Sequence, residues 1–438
     1  MFPNPQAALP LPARPDLEQY KKLAKELLRA SKSTDPNAIR TWFTNWVKRL
    51  AEQSGIEIAP PVAVRIDGWI RDVPNFAQTK LAEGSKLADA QFVIARSHGF
   101  PSWPKFMRHI NNATHTNSTE AQFEAAVDAI VTGDILTLRR LLRANPKLVH
   151  LRSGREHGGT LLHYISANGV EGYRQKTPKN IVQIGELLLR AGADVDAGAY
   201  VYNGSCTTLG LVATSAPPQQ AGVQQPLMQL LLDHGATMTR PGLAGGTGSL
   251  VRACFANGQP DAAKFLADHG APLDLETAAG VGRLGLVKTF FDAGGCLKAP
   301  TTHRQLQDGF LLACMRGEED VAVFLLEHAD LNDPADTGAT ALHWAAGAGH
   351  LGLVRRLLQR GAPLEVTNQW GGTVLEHTGY GFEHSSSDID FAPTFETLLS
   401  AGAKIRGSWL EWIKSVNSRS VEEKARLAEV FRHYGAKA

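Results

Sequence analysis

The stretch Gly338-Ala-Thr-Ala-Leu-His-Trp-Ala-Ala-Gly-Ala-Gly-His-Leu-Gly-Leu-Val-Arg-Arg-Leu-Leu-Gln-Arg-Gly-Ala362 decides the fold. It reads as two short helices folded back on each other: an inner one rich in Ala and Gly, then an outer one rich in Leu and Val. Neither could bury its apolar face alone, so neighbouring units must stack. Small residues such as Ala345 and Ala346 let adjacent layers approach closely. Gly361 falls where the end of a helix needs a left-handed residue, after which the chain turns out into a hairpin finger.

The Gly-Ala step that ends this stretch recurs after Leu-rich segments at Gly192, Gly235, Gly270, Gly294 (as Gly-Gly), His328 (as His-Ala), Gly361, Gly402 and Gly435. The successive gaps are 43, 35, 24, 34, 33, 41 and 33 residues, centred on the ~33-residue period of a stacked helix-turn-helix unit with a hairpin. Eight units can be placed, at 120–153, 158–195, 205–238, 247–273, 274–296, 304–331, 337–366 and 371–405. A last helix pair, 408–434, carries Glu422, Glu423, Lys424 and Arg426 on its outer face and reads as a cap.

On these residues the chain resembles the ankyrin-repeat family: near-exact over 337–370, good at 160–163 and 181–195, degenerate between 240 and 330. The segment from Leu87 to Pro104 also resembles the helical leader of bacterial ankyrin-repeat proteins, a likeness that carries no activity with it. The expected fold is an all-α ankyrin-repeat solenoid of about eight helix-turn-helix repeats. A small N-terminal helical domain precedes it and a C-terminal helical cap follows. The expected boundaries are a disordered, Pro-rich start at 1–15, the N-terminal helical domain at 16–112, a linker at 113–119, the repeats at 120–407 and the cap at 408–438.

Within the N-terminal part, Asp16 can cap a helix running to about Ala30, with Leu17, Tyr20, Leu23, Ala24, Leu27 and Leu28 on one stripe. Further helices are expected from Asn37 to Gln53 and from Lys86 to His98, with a short one beginning at Trp103-Pro104. Residues 54–85, with Pro60, Pro61 and Pro74, show no strong periodicity. The N-terminal helices are expected to dock on the first repeats and cover their apolar end.

Composition sets the function classes. A 43% hydrophobic, 20% charged chain with a formal net charge of +2 gives no general case for nucleic acid or an anionic membrane as partner. Residues 1–118 hold 16 Lys/Arg against 10 Asp/Glu, and the rest 29 against 33, so the front is mildly basic and the remainder mildly acidic. Cys206, Cys254, Cys296 and Cys314 are too far apart for a metal knuckle and lie in apolar stretches, which fits buried thiols in a reducing compartment. The N-terminus lacks the charged and apolar regions of a signal peptide, and nowhere do eighteen apolar residues run together. The expected location is cytoplasmic.

Departures from the repeat are where a particular function could lie. Three units carry extra residues between inner and outer helix, at Gly172–Asn180, Pro217–Val223 and Phe382–Phe391, expected as surface loops on the edge opposite the fingers. Between Gly270 and Gly294 there is no room for a finger. Finger tips are expected to present Arg155, Tyr200, Tyr202, Arg240, Arg304 and Trp370, and the concave face to present Tyr380. These are the residue types that anchor protein interfaces. Asn168 and Thr214 are among the small, weakly polar residues of the groove floor.

Candidate chemistry is sparse. His163 and His343, paired with Thr160 and Thr340, occupy the histidine of the Thr-x-Leu-His pattern, which the resemblance makes structural staples. Equivalent positions in stacked units lie about 8–10 Å apart, so Arg252 is expected to reach Glu276, and His343 to reach Glu376. Such pairs usually compensate buried charge. Glu276 beside Arg252, or the cluster Glu376, His377, Glu383, His384, Asp388 and Asp390, is the alternative acid/base site. The cluster's spacing matches no known zinc or calcium arrangement, and no metal or cofactor is implied. The Gly-rich run Gly242–Gly248 lacks the Lys-Ser/Thr of a phosphate loop. The sequence therefore reads as a protein-binding scaffold with an unidentified protein partner, more than as an enzyme.

Overall fold

A computed structural model describes residues 4–12, 15–53, 60–81, 84–113, 115, 118–239, 249–385 and 388–436. These residues are mostly helical and form two compact units, Met1–Pro272 and Leu273–Ala438. The division falls inside the repeats.

In the first unit, helices Leu17–Ser31, Ala38–Gln53, Pro60–Lys80, Leu87–Ser97 and Trp103–Ala113 enclose a core that includes Leu27, Phe43, Trp46, Val73, Ile94 and Phe106. Asp16 caps the first helix, accepting from the Glu18 N–H at 3.0 Å. The helix Pro60–Lys80 occupies the stretch that showed no periodicity. Prolines at its start displace no helical hydrogen bond, and Trp69, Val73 and Ala77, four residues apart, lie on its buried side despite Pro74.

Residues 4–12 correct the expectation of a disordered start. Pro5–Ala7 form a 3-10 turn capped by Asn4. The Leu9 N–H donates to the Ser97 carbonyl at 2.7 Å, and the Leu9 side chain is buried in the same core. Burying a Leu side chain is worth about 1.5–3 kcal/mol, which offsets part of the entropy lost in ordering the segment.

Helix Trp103–Ala113 packs on Thr119–Thr132, the inner helix of the first repeat. The next inner elements, Leu161–Ser166, Thr208–Ala213 and Leu250–Ala256, pack on one another in order. Behind them the outer helices Ile181–Arg190, Gln224–Asp233 and Pro260–Asp268 do the same. Two strands, β1 (Gly198–Val201) and β2 (Gly204–Thr207), form an antiparallel finger with Val201 opposite Gly204. Its two-residue loop is Tyr202-Asn203, both left-handed at φ 51° and 62°, as a tight hairpin turn demands.

In the second unit the inner helices Leu275–Gly280, His303–Arg316, Ala341–Gly347 and Val374–His384 stack in sequence order. Their outer partners are Leu284–Thr289, Glu319–Leu325, Leu351–Gln359 and Ala392–Ser400, and the cap is Trp409–Ser415 with Val421–His433. Ala345 and Ala346 are buried between layers, and Gly361 takes φ 79°. Contact between layers is closest at Gly381, where an added Cβ would lie 1.9 Å from the Gly347 carbonyl oxygen.

Three thiols are buried, but Cys296 is exposed in a turn, against the expectation of four packed cysteines. Among the described residues no helix is long and apolar enough to cross a membrane.

Candidate functional site

The fingers of the second and third repeats are tied to each other and to the N-terminal helices. The Tyr200 N–H donates to the His157 carbonyl at 2.7 Å, and the Glu156 N–H to the Gly99 carbonyl at 2.8 Å. Arg152 donates to the carbonyls of Gly158 and Gly198 at 2.8 and 2.7 Å, and Arg96 pairs with Glu156. Between these fingers and the N-terminal segment lies a cleft of about 450 Å³, walled by Asn4, Pro5 and Ala8 on one side and Tyr200–Asn203 on the other, with Arg96, Arg155 and His157 in its lining.

Three of the sequence-expected binding residues, Arg155, Tyr200 and Tyr202, thus meet at one cleft. Tyr200 and Tyr202 are 60% and 42% exposed. Tyr202 is a bulky residue in a left-handed conformation, a costly choice. Its hydroxyl donates to the Asn168 Oδ1 at 2.5 Å and accepts from the Gln6 side-chain amide. Burial of the hydroxyl pushes the Tyr202 pKa up to about 12. Asn168 is itself held in place, donating to the Leu211 carbonyl at 3.3 Å and to the Thr214 hydroxyl at 3.2 Å.

Arg155 corrects its expectation as an exposed finger tip, since its side chain is almost wholly buried. Its guanidinium meets Glu171 at 2.7 Å and Glu124 at 2.8 Å, and lies over the Phe100 ring. Arg174 bridges Glu124 and Asp128, each at 2.8 Å. The extra residues at 172–180 therefore do not begin as a surface loop. The inner element Leu161–Ser166 is a 3-10 helix that ends at Ala167 in a left-handed conformation, φ 48°. The chain then folds Glu171 and Arg174 inward, where Glu171 meets Arg155 and His157 of the preceding finger and Arg174 meets Glu124 and Asp128 of the first repeat. Burial alone would raise the Glu124 carboxyl, but Arg155 and Arg174 overcome it and hold it at about 2. Glu171 is likewise held well below the usual carboxylate range, by Arg155, His157 and Arg174 against the effect of burial. Two arginines and two carboxylates nearly cancel, which is what allows such charges out of water.

The two Thr–His pairs are alike. His163 Nδ1 accepts from the Thr160 N–H at 3.1 Å, and His343 Nδ1 from the Thr340 N–H at 3.2 Å. Burial pushes both imidazoles down to about 4.

The expected pair of His343 with Glu376 does not form. Glu376 turns back to its own helix start, accepting from the Thr373 N–H at 2.7 Å and the Thr373 hydroxyl at 3.0 Å, because a capping box satisfies an otherwise orphaned donor. The His343 ring instead meets His377 edge-on at 5.7 Å, and Trp344 packs on His377 from another side. The rest of that cluster is dispersed as well. His384 stacks on Tyr380 at 4.0 Å, and Asp390 pairs with Arg426 at 3.1 Å. Among the described residues no three His, Cys, Asp or Glu side chains converge to hold a metal. Arg252 lies on helix Leu250–Ala256 of the first unit and Glu276 on helix Leu275–Gly280 of the second. Trp370 and Tyr380 are 69% and 62% exposed, and Arg304 pairs with Asp308 and Asp336 at 2.8 and 3.0 Å. Arg240 and the Gly-rich run at 242–248 lie outside the described residues.

A family model described as ankyrin repeats, three copies, matches residues 275–369, the span that holds the Thr340–His343 staple and the stacked helices around it. Residues 275–369 are ankyrin repeats. Among solved structures the chain is similar to the crystal structure of the ankyrin repeat domain of Bcl-3, described as a unique member of the IkappaB protein family. That similarity is at 19% identity and a TM-score of 0.30, over 58% of this chain and 92% of that one, and is too weak to add to the assignment. No curated protein matches. Ankyrin repeats are in general protein–protein interaction modules.

Sequence reasoning missed Gln6, Glu124, Glu171 and Arg174. For the last two a signal existed: charged residues flanking an insertion that opens with Gly172 and Tyr173. Nothing local marks Gln6, whose partners stand 162 and 196 residues away.

Proposed function

We propose that this ankyrin-repeat protein is a scaffold that binds another protein through its fingers and concave face, recognising it by surface complementarity. The observation that carries this reading is the tyrosine pair of the β1–β2 finger. Tyr200 and Tyr202 stand exposed on a two-stranded hairpin fixed by Arg152 and by the His157 carbonyl, beside a cleft of about 450 Å³. Rigid aromatic side chains next to a concavity give large contact area at small entropic cost. Trp370 offers a second exposed anchor in the other unit. The cytoplasm is the compartment we infer, in keeping with four free cysteines.

The test replaces Tyr200, Tyr202 and Trp370 together by Ala and compares, by mass spectrometry, what the wild-type and variant chains capture from the native cell. Loss of a specific partner is expected; an unchanged set of partners would remove the fingers from the interface.

A further inference from the structure

Residues 4–12 occupy ground that an external ligand would be expected to use. Gln6 reaches the concave face of the second repeat, where its side-chain amide donates to Asn168 Oδ1 at 3.3 Å and bonds to the Tyr202 hydroxyl. The backbone there passes so close to Gly172 that a Cβ at that position would sit 2.5 Å from the Gln6 carbonyl oxygen. Three residues on, Leu9 is gripped at both backbone groups: its N–H donates to the Ser97 carbonyl at 2.7 Å, and its carbonyl accepts from His98 Nδ1 at 3.0 Å. The site thus holds a short segment by one carboxamide side chain, one buried Leu and main-chain hydrogen bonds. Those are the means by which a protein reads a peptide.

We propose that the surface of the second and third repeats between Gly172 and Tyr202, continued by Ser97 and His98 at the end of helix Leu87–Ser97, is a peptide-binding site. Its ligand class is a segment with Gln three residues before Leu, and residues 4–9 fill it as a ligand supplied in cis. The inference rests on the scaffold reading and names the class of segment that a partner would present. Two features point to a site rather than a stretch of ordinary packing. The receptor side is braced by bonds among its own residues, Asn168 to Leu211 and Thr214, and Tyr202 to Asn168. The segment also leaves the adjoining cleft of about 450 Å³ unfilled, so a longer or bulkier ligand has room that Pro5 and Ala8 do not use.

The test uses a fluorescein-labelled peptide of residues 4–12, read by fluorescence polarisation against the full chain and a chain lacking residues 1–12. The shortened chain should bind the peptide at least about tenfold more tightly than the full chain, in which the site is filled. A Gln6→Ala peptide, or Gly172→Ala in the shortened chain, should lose about tenfold, the cost of an unmade polar contact or a blocked approach. Equal binding by both chains, or none by a shortened chain of unchanged circular dichroism, overturns the proposal. Should the shortened chain not fold, Gln6→Ala in the full chain keeps the Leu9 anchor. It should speed hydrogen exchange at residues 4–9 and admit the peptide, and no change in either overturns the proposal. Partner capture by the wild-type chain that depends on Tyr200 or Trp370 would survive such a failure, which separates the two readings.

Discussion

Arg155 Nε stands 2.7 Å from Glu171 Oε1 with the two side chains only 2% and 0% exposed. The pair joins three pieces of chain: the finger that carries Arg155, the insertion that carries Glu171, and, through Glu124 at 2.8 Å, the first inner helix. Because every one of these charges is compensated inside the protein, the network fixes where the insertion lies more than it adds net stability.

Removing one charge should therefore cost more than removing both. Arg155→Met or Glu171→Gln leaves the buried network one charge out of balance, and about 3–5 kcal/mol of stability should be lost from the first unit. The double variant should lose less than the sum of the two. Urea denaturation followed by tryptophan fluorescence checks this, and strictly additive losses would mean that the two side chains do not interact.

Acid should weaken the protein through its histidines before its ion pairs. Burial pushes His98 down to about 3 and His109, His163 and His343 to about 4. Unfolded, each would take up a proton near pH 6.5, so the unfolded state binds more protons between about 6.5 and the folded values, and stability falls as pH drops through that window. Each buried imidazole removes about 1.4 kcal/mol per pH unit there. Glu124 works at lower pH: its folded pKa of about 2 lies below its unfolded value, so its contribution is complete above that unfolded value and is lost only as pH falls towards 2. Urea midpoints measured at pH 7, 5.5 and 4.5 should decline steadily. His98→Phe should flatten the decline, and a slope identical to wild type would show that this imidazole is not held neutral.

Layer spacing in the second unit should be intolerant of a single methyl group. At Gly381 an added Cβ would meet the Gly347 carbonyl oxygen at 1.9 Å, and backbone cannot swing aside as a side chain can. Gly381→Ala favours helix by about 1 kcal/mol on propensity alone, yet it should destabilise by about 1–3 kcal/mol net through forced separation of the two inner helices. Thermal unfolding decides the sign. A stabilised variant would mean that the layers can part at no cost.

Much of the repeat architecture was legible because its signals are local. A Leu/Val-rich helix followed by Gly361 or Gly402 announces a left-handed stop wherever it occurs, and both glycines take positive φ, 79° and 102°. Thr160 and His163, or Thr340 and His343, are three residues apart, so their hydrogen bonds follow from a helix start alone. The candidate site was legible only in part. Tyr200 and Tyr202 could be placed on a finger from the spacing of the units. Arg155 could not be recognised as buried, because what buries it, Phe100, Glu124 and Glu171, comes from three other segments.

The unit, its period and its staples follow from the order of residues alone, since short-range backbone preferences and helical spacing specify those without reference to the rest of the chain. What only tertiary structure decided is which departures from the unit turn inward. Gln6 meets Asn168 and Tyr202 across more than 160 residues, and Glu171 becomes tolerable out of water only because Arg155 arrives from another repeat. Unlike a capping residue such as Glu376, Glu171 and Gln6 take their deciding partners from distant segments. Their position is settled by whichever partner the folded backbone brings within hydrogen-bonding distance, and that is a property of the whole first unit.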